Sequence, residues 1–204
     1  GKGIKHYRMK GLYGAPTQCA LAVCDGILAN KKKFLEETTM NFQSLKEGGP
    51  ENYFGLFRSS ESCLWKAVDS LADRTLTEPN LQRSATALFV FLSVPLTLFH
   101  KRWSKTLADQ CFQLALAFSS HPLEVVGTVL NGFLVTRFLN LQKGSLLSKR
   151  KEMLQDAAEI CAQAEIEIQA SVNVFEDKLM VKSTNAFSQT LEGLINQFDK
   201  PEKE

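Results

Sequence analysis

Histidine and tryptophan are rare in this chain, and its glycines are scattered rather than clustered. Among 204 residues stand 3 His, 2 Trp, 12 Gly and 6 Pro. His6, His100 and His121 share no ligand spacing, and neither H-E-x-x-H nor C-x-x-C occurs. The phosphate-cradling patterns G-x-x-x-x-G-K-[ST] and G-x-G-x-x-G are missing. So is the G-x-S-x-G elbow that presents a nucleophilic serine. His121-Pro122-Leu123-Glu124 has a ligand-like spacing, but a proline followed by an acid is the chemistry of a helix start. Cys111 lies in an apolar stretch, where a thiol is inert unless a base such as His100 reaches it. Asp156 with Glu159, and Glu165 with Glu167, read as an acidic helix face rather than paired catalytic carboxylates. The expectation is a chain that is not an enzyme and uses no metal or cofactor.

The five cysteines, Cys19, Cys24, Cys63, Cys111 and Cys161, are odd in number and far apart. That pattern predicts reduced thiols in an intracellular protein, cytoplasmic or nuclear, with Cys24, Cys111 and Cys161 buried. No Asn-x-Ser/Thr acceptor occurs, which agrees. The opening Gly1-Lys2-Gly3 reads as a domain excised from a larger protein, and the basic stretch after it lacks the apolar run of a signal peptide. The longest charge-free run, residues 84–99, has 16 residues and includes Pro95, whereas a spanning helix takes about 20.

The net charge of +2 is unevenly spread. Residues 1–150 carry 19 Lys+Arg against 11 Asp+Glu, and residues 151–204 carry 5 against 11. Residues 1–15, basic and glycine-punctuated, read as a mobile arm and 200–204 as a frayed tail, with one helical domain over 16–199. Pro16 opens a helix. Leu21, Cys24, Leu28, Leu35, Phe42 and Leu45 then recur at spacings of 3, 4, 7, 7 and 3. This predicts one helix, packed through that stripe, up to the Gly48-Gly49-Pro50 break. A second helix fits residues 52–72.

Residues 84–142 contain only six charged side chains, so their helices should form the centre. Pro95 should kink or end the first of them. Others fit 104–118 and 122–142. Phe89, Leu92, Phe112, Leu116, Leu130, Phe133 and Leu134 are the predicted central core. From Ser145 onward, Leu147, Leu154, Ala158, Cys161 and Ile168 support one long helix. The alternation of Ile166, Ile168, Ala170, Val172 and Val174 also fits a short β-hairpin near 165–182. Ser183 or Thr184 is the expected cap of a last helix, with Phe187, Leu191, Leu194, Ile195 and Phe198 inward. The fold class is all-α, six to eight helices around 84–142.

Function then rests on surfaces, and three classes stay open. The first is a protein–protein interaction module: a scaffold, adaptor or regulatory domain. Its candidate partner contacts are the aromatic group Tyr53, Phe54, Phe57 and Trp65 and the acidic face with Asp156 and Glu159. The second is nucleic-acid binding through Lys31, Lys32, Lys33, Lys101 and Arg102, with Trp103 to stack on bases. The third is a membrane-active bundle using 84–118. Lys101, Arg102 and Asp109 count against it, at about 2.5–3.5 kcal/mol each in a bilayer. The expected partner is therefore another protein, then nucleic acid, with a membrane last.

Overall fold

A computed structural model of the chain describes residues 15–47, 89–141, 146–171 and 186–198. In chain order its elements are α1 (Ala15–Ala29), α2 (Phe34–Glu47), a 3-10 turn (Val90–Leu92), α3 (Ser93–His100), α4 (Lys105–Phe118), α5 (Pro122–Asn140), α6 (Leu146–Ser171) and α7 (Ala186–Phe198). The protein is all-α, with seven α-helices and no strand among the described residues.

The centre is α5, which packs against the 3-10 turn, α3, α4, α6 and α7. Its start at Pro122, with Glu124 in the first turn, is the one the sequence reading expects, and His121 adds a side-chain cap that reading lacked. His121 Nδ1 accepts the Leu123 N–H at 3.2 Å. Val125, Val126, Val129 and Phe133 are buried, and so are Thr128 and Thr136. A helix apolar on every side gains most from being surrounded. The two buried hydroxyls donate back along the helix, Thr128 to the Glu124 carbonyl and Thr136 to the Gly132 carbonyl, both at 2.7 Å. Asn131 fastens α5 to its neighbour, donating to Ser93 Oγ at 2.8 Å and to the Val90 carbonyl at 3.2 Å.

Phe89, Leu92 and Phe112 lie in the central core, and Leu116 and Leu130 pack against it half-buried. Phe133 is fully buried beside Trp103, edge to face with ring centroids 5.5 Å apart. Leu134 is only half-buried. Phe118 links the centre to the N-terminal helices, its ring 4.7 Å from Phe42 and 5.4 Å from Phe89.

Four expectations are corrected. The single helix expected from Pro16 is a pair, α1 and α2, turned at residues 30–33. Asn30 Oδ1 accepts the Lys32 N–H and the Asn30 carbonyl accepts the Lys33 N–H, each at 3.1 Å, so Asn30 closes the turn with its own side chain. The buried face of α1 is also rotated from the expected stripe. Cys19, Ala22, Val23 and Ile27 are buried, Cys24 is half-buried and Leu28 is 79% exposed. The reason is Gly26: a Cβ there would stand 2.8 Å from the Thr38 amide nitrogen and 2.9 Å from the Phe34 carbonyl oxygen. Small residues let α2 approach where leucine would not. Pro95 ends no helix: it stands in the first turn of α3, which Ser93 opens, where a missing N–H costs least. Of the two readings of 165–182, the long helix holds over the described residues 165–171. Met153, Ala157, Cys161, Ala164 and Ile168 form one buried stripe that carries α6 through them, and Ile166 of the alternation is 61% exposed. In α7, Phe187 and Leu191 face the core but Leu194 is exposed. The arm 1–14, the helix expected over 52–72, residues 172–182 of the hairpin reading, Ser183, Thr184 and the tail lie outside the described residues.

Candidate interaction surface

Three helix C-termini converge at one end of the molecule. The last turn of α1 leads into Lys31, whose ammonium lies over the Phe99 ring, 4.5 Å from its centroid. Phe99 and His100 form the last turn of α3 and meet edge to face at 5.4 Å. Asn140, at the end of α5, donates to the Lys101 carbonyl at 2.7 Å. The two basic clusters singled out in the sequence, Lys31–Lys33 and Lys101–Arg102, are therefore brought together. All five of these residues are exposed. Cations beside helix C-termini are favoured by the helix dipole, which accounts for their tolerance there. Lys101 takes the left-handed conformation (φ 61°) that stops α3, its N–H bonded to the Thr97 carbonyl at 2.9 Å.

The same three helix ends carry exposed apolar side chains, of which the sequence pattern singles out only Leu28, and that as an inward residue. Leu28 on α1, Leu98 and Phe99 on α3, and Phe138 and Leu139 on α5 are five of the nine large apolar residues left exposed among the described residues. Their signal in the sequence was faint. Each lies within one turn of a basic or polar helix end, where periodicity alone does not say which way the chain turns.

The other candidate residues fare differently. Asp156 is not free to meet a partner: it forms an ion pair with Arg137, whose guanidinium also lies 5.3 Å from the Phe133 ring centroid. Glu159 is exposed on α6. Tyr53, Phe54, Phe57 and Trp65 lie outside the described residues. Trp103 is half-buried against Phe133 and is not an open stacking platform.

The conceivable nucleophile is poorly placed for chemistry. Burial pushes the Cys111 thiol up to about 12. His100 Nε2 stands 2.7 Å from Gln110 Oε1. Among the described residues no three His, Cys, Asp or Glu side chains gather in a way that would hold a metal ion. One described helix, α5, is long and apolar enough to cross a membrane, and 56% of its most apolar window is buried within the protein. No family model, curated protein or solved structure matches this chain.

Proposed function

We propose that this chain is a non-catalytic protein-interaction module that docks an acidic, apolar segment of another protein on the end where α1, α3 and α5 terminate. The observation that carries this reading is the Lys31–Phe99 contact. It joins two basic loops, 70 residues apart in sequence, into one surface that also exposes Leu28 and Leu98. Exposed apolar groups rimmed by charge are the usual composition of a protein contact site. The partner that complements this surface places leucines or phenylalanines beside aspartates or glutamates, as one face of an amphipathic helix does.

Nucleic acid fits less well. The lysines and Arg102 would contact phosphates, but one face of the Phe99 ring is covered by Lys31 and Trp103 packs against Phe133. Exposed leucines add nothing to phosphate binding.

The test is fluorescence anisotropy with a labelled amphipathic peptide bearing Leu and Glu on one face. Binding should weaken with salt, and should be lost in both Leu98→Ser and the Lys31→Glu, Arg102→Glu double variant. Binding of duplex DNA or RNA that survives Leu98→Ser but not charge reversal would replace this reading with the nucleic-acid one. Salt-resistant flotation with anionic vesicles, in the absence of peptide binding, would replace it with the membrane one.

A further inference from the structure

A cavity of about 380 Å³ opens where α4 and α6, both packed on α5, diverge from one another. Its inner wall is apolar: Trp103, Phe112, Val129 and Ile160. Its rim is charged, with Lys105 and Asp109 on α4 and Glu167 on α6. The rim charges are not neutralised by one another. Neither carboxylate has a described cation within ion-pair distance, and Glu167 accepts a bond from Gln163 Nε2 at 3.3 Å. Lys105 to Phe112 and Ile160 to Glu167 each cover about 10 Å of helix, which sets the length of the cleft. That size lies at the small end of the range for ligand sites between packed helices.

We propose that this cleft binds a small organic cation, an ammonium or guanidinium carried on an aromatic or branched apolar body. Two carboxylates against one lysine make the rim net acidic. Trp103 lines the cleft with an indole, the aromatic group that attracts cations most strongly. The apolar floor takes the body of the ligand. An anion of the same shape would gain only Lys105 and would be repelled twice. The proposal stands apart from the docking surface, whose residues it does not use.

Phenylbutylamine and phenylbutyrate share ring and tether and differ in the sign of their charge. In calorimetric titration of the whole chain, the amine should bind saturably and at least about fivefold more tightly than the carboxylate. Glu167→Gln and Asp109→Asn should each weaken the amine about two- to fivefold, and Lys105→Gln should strengthen it by a similar factor, with helicity unchanged in all three. Glu167 is on the rim, so its variant remains informative if Asp109→Asn perturbs folding. Equal binding of the two compounds, preference for phenylbutyrate, or no saturable binding of the amine would each overturn the proposal.

Discussion

Glu165 of α6 holds the first turn of α7 through Ser188. Its Oε1 accepts the backbone N–H groups of Phe187 and Ser188, each at 3.2 Å, and its Oε2 accepts the Ser188 hydroxyl. Both residues are buried. The N–H groups of a helix's first turn lack partners within the helix, and a side chain from the preceding residues usually supplies one. Here a carboxylate from a different helix does so, in the position where the helix dipole favours negative charge. Glu165→Ala should lower the unfolding free energy by about 2–3 kcal/mol, because buried donors are left unpaired. Glu165→Gln keeps an acceptor and should recover part of that loss. Urea unfolding checks both, and an unchanged midpoint for Glu165→Ala would show that the clamp contributes nothing.

Gly26 should not accept even one methyl group. Alanine would ordinarily gain up to about 1 kcal/mol in a helix interior. At this position its Cβ meets backbone atoms of α2, which cannot rotate away as a side chain can. Overpacking costs about 1–3 kcal/mol and outweighs the gain. Gly26→Ala should therefore melt below the parent protein. A higher melting temperature would mean that α1 and α2 are not in this contact.

Acid should loosen the start of α5. Burial holds the His121 imidazole below its ordinary 6.5, partly opposed by Glu124. A base whose folded value is depressed binds fewer protons folded than unfolded. Its contribution is complete above pH 6.5 and is lost as pH falls from there through the folded value. Protonation also removes the Nδ1 lone pair that caps the helix. Asn caps a helix without titrating. His121→Asn should therefore flatten the fall in melting temperature between about pH 7 and pH 5. An identical slope in the two proteins would assign the acid sensitivity elsewhere.

The thiols should separate by reactivity. Burial pushes Cys19, Cys111 and Cys161 up to about 12, with Glu165 adding to the rise at Cys161. Cys24, raised by partial burial and by Asp25, is half-exposed. No disulfide joins any two of these four. Native protein treated with a thiol-exchange reagent should lose Cys24 first among them, and denaturant should release the remainder. A thiol count below five in denaturant without reductant would reveal a disulfide and overturn the expectation of reduced cysteines.

Truncating Phe133 should cost about 3–5 kcal/mol, the range for a fully buried phenylalanine. Its ring supports Trp103 on one side and the Arg137 guanidinium on another. Phe133→Ala should therefore also shift Trp103 emission to the red, and an unchanged spectrum with unchanged stability would remove Phe133 from the core.

The sequence by itself determined the helical class, the long α6 and the central place of α5. Each follows from local information. A 3.6-residue period shows wherever a helix has two faces, and residues 122–140 lack the polar face that would let them lie outside. The start at Pro122 was legible for the same reason, since the chemistry of a helix start is contained in three or four residues. What only the tertiary structure decided depends on fit between distant segments. Hydropathy favoured Leu28 over Gly26 as an inward residue of α1. Close approach of α2 reversed that choice, because burial rewards shape as well as apolar area. Asp156 looked like part of an open acidic face until the fold placed Arg137 beside it. Lys31 and Lys101 were visible as separate clusters. Their union around Phe99 came from the topology, which sets the ends of α1 and α3 side by side. Charge counted along a chain does not reveal which charges will share a surface; the packing of α1 on α3 does.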